Sequence, residues 1–142
     1  MTPQQVNLIK SSFATIFFSR DESAKLFYDR LFAVAPRLRP LFKSDMESQG
    51  RKLMDTLSLA VTSLRHPQSL GHLLYDTSKR HVGYGATPAD YELVGDALLR
   101  MLEQQLGKDY TPEARVAWTE LYGTVADAMQ RIGLEPAAAD KR

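Results

Sequence analysis

Residues 67–91 of the chain read PQSLGHLLYDTSKRHVGYGATPADY, and this stretch predicts one complete helix and the start of another. Apolar side chains recur every three or four positions up to His81, which is the spacing of one face of an α-helix. Gly83 and Gly85 follow, and glycine readily adopts the left-handed backbone conformation that ends many helices. Thr87-Pro88 then provides a hydroxyl N-cap and a proline at the first helical position, where a missing N–H costs no hydrogen bond. The stretch is therefore typical of two helices joined by a short turn.

The same helix-start signal recurs elsewhere in the chain. Thr2-Pro3 and Thr111-Pro112 repeat the pair, and Ser44-Asp45-Met46-Glu47 fits a capping box with Ser44 as the N-cap. Apolar periodicity predicts helices from Thr2 to about Phe18, Asp21 to Ala35, Asp45 to about Leu64, Pro67 to His81, Asp90 to Leu106 and Glu113 to Ile132, with a helical turn over Leu38–Phe42. Neither an alternating strand pattern nor an internal repeat is present. We therefore expect an all-α fold of six to eight helices in one domain over residues 1–133, followed by a frayed tail at 134–142.

The composition narrows the functional classes. The chain has 142 residues, enough for one hydrophobic core, and its formal net charge is +1 with no polybasic run, so a nucleic-acid partner is not expected. Because there is no cysteine, disulfides, thiolate nucleophiles and cysteine metal sites are excluded. The amino terminus does not resemble a signal peptide, and no apolar run reaches the roughly 18 residues of a membrane span. We expect a cytoplasmic protein without a membrane partner.

Three histidines are candidates for chemistry: His66, His72 and His81. His66 precedes a proline, which disfavours helical backbone and indicates an exposed helix end. His72 and His81 are nine residues apart, about 900° of helix rotation, so they point to opposite sides and cannot bind one metal ion together. His81 lies on the apolar face. It is either a core histidine bonded to a neighbouring carbonyl or an axial ligand of a haem iron, for which one inward imidazole suffices.

Two polar side chains on other predicted helices also point inward. Gln49 precedes Leu53 by four residues, and Tyr28 follows Ala24 by four, so each shares a face with apolar neighbours. A buried polar group without a partner costs roughly 1–3 kcal/mol, so both must be satisfied. They either bond to each other or to backbone, or they outline, together with His81, a small polar cavity in an apolar shell.

Six segments, in this order, carry a resemblance to a known family: Leu26-Phe27-Tyr28, Pro36 to Phe42, residues 49–54 (QGRKLM), Lys79-Arg80-His81, residues 91–99 (YELVGDALL) and residues 117–123 (AWTELYG). Over about residues 5–132 the chain resembles the globin family. Within that family it is similar to bacterial single-domain globins related to the haem domains of flavohaemoglobins and to neuroglobin. The expected architecture is therefore the globin fold, with its helices around one haem pocket.

The resemblance implies a b-type haem that is held on one side by His81 as the proximal iron ligand. On the distal side it implies Gln49 at the position where many globins have histidine, with Leu53 one turn further over the haem. Phe42 corresponds to the phenylalanine that packs on the haem face. Tyr28 matches the distal tyrosine of flavohaemoglobins.

The rest of the implied haem contacts lie around the rim and walls of the pocket. Lys52 or Arg80 is expected to meet a haem propionate by charge, although a solvated surface position is equally compatible for either. The residues expected to line the pocket, with plain core packing as the alternative, are Leu74, Val94, Leu98 and Val125.

The chain departs from flavohaemoglobins in ways that affect the expected chemistry. It ends at Arg142, before any flavin- and NAD-binding reductase. The position eleven residues after Tyr122, where flavohaemoglobins have a proximal glutamate, is Gly133, although Tyr91, the other member of that network, is present. Electron donation from the proximal histidine to the iron is therefore expected to be weaker than in flavohaemoglobins. Because position 49 is not histidine, the bis-histidine state of neuroglobin should not form.

These features predict a binding protein without catalytic side chains. It is expected to bind O2, and also NO and CO, reversibly, for oxygen binding or transport. Because bound O2 carries negative charge, donors from Tyr28 and Gln49 in a dry pocket predict high affinity through slow release. The alternative is nitric oxide detoxification by a dioxygenase that depends on a separate reductase. A gas sensor would need an output domain, for which the chain leaves no room.

Overall fold

The computed structural model describes residues 1–42, 45–65 and 87–133, and these ranges contain helices and no strand. The α-helices are α1 (Pro3–Phe18), α2 (Arg20–Val34), α3 (Met46–Thr62), α4 (Pro88–Leu106) and α5 (Pro112–Gly133), and three short 3₁₀ helices span Pro36–Leu41, Ser63–Arg65 and Gly107–Asp109. The expected all-α class is confirmed. The predicted helix from Pro67 to His81 and the tail at 134–142 lie outside the described residues.

Three of the four helix starts are capped as the Thr-Pro pairs predict. Thr2 accepts a hydrogen bond from the Gln5 N–H at 3.1 Å, and the Gln5 side chain accepts one from the Thr2 N–H at 2.9 Å. Thr87 and Asp90 exchange the same two bonds at the start of α4, at 3.3 and 2.9 Å. At α5 the Thr111 hydroxyl accepts from the Ala114 N–H at 3.1 Å. Each cap satisfies backbone donors that a helix end leaves without partners.

The fourth start differs from the prediction. Asp45, not Ser44, is the N-cap of α3, and its carboxylate accepts from the Ser48 N–H at 2.9 Å. A carboxylate is favoured there because its negative charge also meets the positive end of the helix dipole. Glu47 pairs with Arg51 one turn later, at 3.1 Å.

The core lies where α1 contacts α5 and where α2 contacts both α3 and α4. The largest of its fully buried side chains is Trp118 of α5, which is 1% exposed. The Trp118 indole N–H donates to the Ser12 hydroxyl of α1 at 2.8 Å, so the one polar atom of this ring is satisfied inside the core. Of the helices in the described ranges, none combines the length and the apolar character that crossing a lipid bilayer requires.

The contact between α4 and α5 depends on a glycine. A Cβ atom on Gly95 would lie 2.7 Å from Cε2 of Tyr122, so only glycine lets the Tyr122 ring rest directly on the α4 backbone. The Tyr122 hydroxyl donates from this position to the Tyr91 carbonyl at 2.6 Å. Close packing and a short hydrogen bond therefore hold α4 and α5 in one register.

We expect Gly95→Ala to lower the free energy of unfolding by about 1–3 kcal/mol, because the added methyl group must displace the Tyr122 ring. Gly123→Ala is the matched control. A Cβ there meets nothing within 4 Å, and alanine favours a helix over glycine by roughly 0.5–1 kcal/mol, so this variant should gain stability. Urea unfolding followed by circular dichroism measures both changes. Equal effects of the two substitutions would contradict the packing role of Gly95.

Candidate functional site

The candidate site is built at the crossing of α2 and α3. The two helices approach so closely that a Cβ on Gly50 would lie 3.0 Å from the Cβ of Ala24. One turn after Ala24, Tyr28 faces α3, and directly before Gly50 stands Gln49. The crossing therefore brings together two of the side chains that the sequence predicts for the distal side.

Tyr28 is 7% exposed, and its hydroxyl donates to the backbone carbonyl of Gln49 at 3.3 Å. This distance is beyond the usual range for a hydroxyl donor, so the bond is weak. The Gln49 side chain is half-buried, and its amide makes no hydrogen bond to the part of the chain that the structure describes. Of the two kinds of partner that the sequence left open for Tyr28, a backbone group or the Gln49 side chain, the structure shows the backbone group.

Burial controls the ionisation of the Tyr28 phenol. Removal from water disfavours the phenolate and raises the pKa of Tyr28 from 10.0 to about 12. At neutral pH the hydroxyl is therefore fully protonated and acts as a hydrogen-bond donor.

Aromatic rings surround Tyr28 on several sides. Phe27 meets it edge-on at 4.9 Å between ring centroids, and Phe42 does so at 5.4 Å. Phe32 stacks on Tyr28 at 5.7 Å, with an angle of 24° between the ring planes. The sequence prediction included Phe42 but missed Phe32, although its position four residues after Tyr28 on α2 was a usable signal.

The other predicted pocket residues come from several elements. Leu98 of α4 is buried in the core, and the apolar residues that are half-buried and packed against that core are Leu53, Val94 and Val125. Lys52 lies on the exposed side of α3. The predicted proximal ligand His81, the predicted pocket residue Leu74 and the possible propionate partner Arg80 lie outside the described residues. Their roles stay predictions.

The start of α4 is tied to the 3₁₀ helix that precedes Phe42. The Asp90 side chain is 6% exposed, and its Oδ1 lies 2.7 Å from Nη2 of Arg37. Burial works against ionisation here. Hydrogen bonds from Thr87 and Arg37, together with the Arg37 charge, nevertheless hold the pKa of Asp90 below its ordinary value. The ion pair therefore connects the 3₁₀ helix Pro36–Leu41 to the first turn of α4.

Tyr91, the tyrosine named above for the proximal side, lies in a small apolar cluster with Ala126 and Met129 of α5. Burial, and then the neighbouring Asp90 charge, raise the pKa of Tyr91. Burial likewise raises the pKa of Tyr122, whose hydroxyl holds the Tyr91 carbonyl. Both phenols are therefore protonated at neutral pH.

Two further features of the described residues do not belong to this site. A shallow groove of about 660 Å³ between α1 and the end of α3 is lined by Lys10, Phe13, Ala14, Phe17, Phe18, Arg20, Ser58, Val61 and Thr62. None of the predicted site residues lines it.

No group of three or more His, Asp or Glu side chains in residues 1–42, 45–65 and 87–133 is arranged to hold a metal ion.

The raised pKa of Tyr28 predicts an alkaline effect on stability. The unfolded chain ionises this phenol near pH 10 and the folded chain near pH 12, so its contribution to stability is present below pH 10 and is lost as the pH rises through 12. We expect Tyr28→Phe to weaken the fall in stability over this window. Urea unfolding at several pH values measures it, and an unchanged pH dependence in the variant would contradict the burial of the hydroxyl.

The Globin family model matches residues 25–129 of the chain. The flavohemoprotein of Rhizobium meliloti (strain 1021) is 32% identical over 107 residues, which are 72% of this chain and 26% of that protein. The flavohemoprotein of Pseudomonas putida (strain KT2440) is 30% identical over 139 residues, which are 95% of this chain and 35% of that protein. The neuroglobin of Tetraodon nigroviridis is 26% identical over 145 residues, which cover 92% of this chain and 91% of that protein.

This chain spans 26% and 35% of the length of the two flavohemoproteins, and 91% of the neuroglobin. The family match begins inside α2 at residue 25 and includes Tyr28 and all of α3. Helical architecture, the inward tyrosine and the family match agree, and the chain belongs to the globin family.

Proposed function

We propose that this globin holds a b-type haem through His81 and binds O2 reversibly, with Tyr28 and Gln49 as the distal hydrogen-bond donors. Membership in the globin family supports a haem cofactor, whose iron binds diatomic gases when the cofactor is present. The single observation that carries the distal assignment is the Tyr28 hydroxyl. It is buried and protonated, and within residues 1–42, 45–65 and 87–133 it makes one hydrogen bond, the 3.3 Å contact to the Gln49 backbone carbonyl.

The side chains of the described residues fit a haem in their chemistry. The proposed wall is apolar and comes from four elements, with Phe42 after the 3₁₀ helix, Leu53 on α3, Val94 and Leu98 on α4, and Val125 on α5. A planar apolar macrocycle needs such a wall, interrupted by a few polar groups. We propose Leu74 as a further contact of the pocket, and Lys52 or Arg80 as the partner of a propionate.

Tyr28 can change hydrogen-bond partners at little cost. Its hydroxyl hydrogen turns about the Cζ–O bond while the ring stays fixed, and the bond it gives up is long. A gas that carries negative charge when bound gains more from this donor than a neutral one, because hydrogen bonds to charged groups are worth about 1.5–3 kcal/mol in proteins. The Tyr28 donor therefore stabilises bound O2 more than bound CO. The Gln49 amide adds a second donor from the neighbouring helix.

A second candidate function uses the same donors. The chain is similar to two flavohemoproteins, and a tyrosine donor that retains O2 also serves a nitric oxide dioxygenase. Such an enzyme joins O2 and NO into nitrate and takes one electron per turnover from a reductase, which we propose to be a separate protein. Nitrate formed over many turnovers with a reductase supports the enzyme, and a single turnover supports the oxygen carrier.

Tyr28→Phe is expected to release O2 roughly 10- to 150-fold faster, the range for losing one hydrogen bond to a charged group worth about 1.5–3 kcal/mol. CO release should change less. Tyr110→Phe is the control, because the Tyr110 hydroxyl is also buried but has no hydrogen-bond partner among the described residues. Stopped-flow measurements on the haem-loaded proteins give both rates. An O2 release rate in Tyr28→Phe equal to that of Tyr110→Phe would remove Tyr28 from the proposal.

His81→Ala is expected to abolish stable haem binding, because no other side chain is predicted to reach the iron from the proximal side. His72→Ala is the matched control, since the helical spacing predicts its imidazole on the opposite side. Titration with hemin, followed by the Soret absorbance and by gel filtration, measures retention. A His81→Ala protein that keeps haem with unaltered ligation would refute the assignment.

A further inference from the structure

Arg39 encloses the turn that presents Phe42. Its guanidinium Nη1 donates to the Phe42 carbonyl at 3.3 Å, and the Phe42 N–H donates to the Arg39 carbonyl at 3.1 Å. The two residues therefore exchange bonds in both directions around Pro40, whose ring already fixes one backbone dihedral. This closed arrangement restricts the backbone that carries the Phe42 ring.

The same guanidinium also covers an aromatic ring. The Cζ atom of Arg39 lies 5.4 Å from the centroid of the Phe32 ring, within the range of a cation–π interaction. Phe32 in turn stacks on Tyr28, and Phe42 stands edge-on to both of these rings at 5.4 Å. Arg39 is thus connected to the buried Tyr28 ring twice, once through Phe32 and once through Phe42.

We propose that Arg39 is a positioning residue for the distal hydroxyl: by holding Phe32 and Phe42, it fixes the orientation of the Tyr28 ring between them. This inference rests on the proposed function of Tyr28 as a donor. Arg39 is exposed and lies outside the implied pocket, yet in this inference it controls how often the Tyr28 hydroxyl is aligned with a bound gas.

The geometry of the side chain explains why an arginine suits this position. A planar guanidinium covers a ring with its face while its N–H groups bond to a carbonyl in the plane, and both contacts are present here. A lysine ammonium is a single charged point and keeps only part of this arrangement. Because Arg39 is exposed, its removal opens no cavity in the core. Its loss is expected to act on ring orientation more than on the fold.

Arg20 offers a matched control elsewhere in the chain. Its Cζ atom lies 4.9 Å over the Phe17 ring, and its Nη1 donates to the Phe17 carbonyl at 3.3 Å, at the corner between α1 and α2. Arg20→Ala therefore removes the same two kinds of contact and the same charge as Arg39→Ala. It does so at a ring that is not stacked on Tyr28.

The test is the infrared spectrum of the CO complex of the full haem-loaded chain, because a hydrogen-bond donor beside CO lowers its stretching frequency. Four variants are compared with wild type: Tyr28→Phe, Arg39→Ala, Arg39→Lys and Arg20→Ala. We expect Arg39→Ala to populate the band that Tyr28→Phe shows and to release O2 roughly two- to fivefold faster, the range of one exposed cation–π contact. Arg39→Lys should lie between Arg39→Ala and wild type, and Arg20→Ala should match wild type.

Thermal unfolding of each variant separates positioning from a loss of fold. If Tyr28→Phe moves the band while Arg39→Ala coincides with Arg20→Ala, the positioning role of Arg39 is wrong and the proposed function stands. If Tyr28→Phe itself leaves the band and the O2 release rate unchanged, the donor assignment fails and this inference fails with it. The inference is also overturned if the shift of the CO band across the variants simply follows their loss of thermal stability.

Discussion

The close crossing of α2 and α3 is the constraint on which the distal site depends. Ala24 and Gly50 meet with no room for a larger side chain at position 50, and this contact sets the distance between the two backbones. Tyr28 and Gln49 sit one turn and one residue away from it, so their separation follows from the crossing. A wider crossing would move the Tyr28 hydroxyl away from the Gln49 carbonyl, which it reaches only at 3.3 Å.

Burial of a hydroxyl among aromatic rings has two consequences for chemistry. It raises the pKa of the phenol to about 12, which keeps the proton on Tyr28, and it lowers the local dielectric, which strengthens any hydrogen bond to a charged acceptor. The weak bond to a backbone carbonyl satisfies the hydroxyl when no better acceptor is present. In the proposed role, a hydroxyl that is protonated and only weakly bonded distinguishes bound gases by their charge.

The rings around Tyr28 extend its environment to the surface. Phe32 and Phe42 contact Tyr28 on one side and Arg39 on the other, so an exposed cation and a buried phenol belong to one packed group. Elsewhere the Arg37–Asp90 pair ties the same 3₁₀ helix to α4. The segment that carries Phe42 is thus held by contacts of two arginines of one short helix, Arg37 to α4 and Arg39 to Phe32 and Phe42.

Local signals in the sequence by themselves determined the helical class, the three Thr-Pro starts and the burial of Tyr28, because capping and periodicity act over three to seven residues of one chain segment. The choice of Asp45 over Ser44 as a cap was not determined, since both residue types cap well. Only the tertiary structure decided which carbonyl Tyr28 bonds and that Arg39 covers the Phe32 ring. Each of these contacts joins two separate helices, and the Tyr28 bond depends on the distance and angle of the α2–α3 crossing, which no local periodicity encodes.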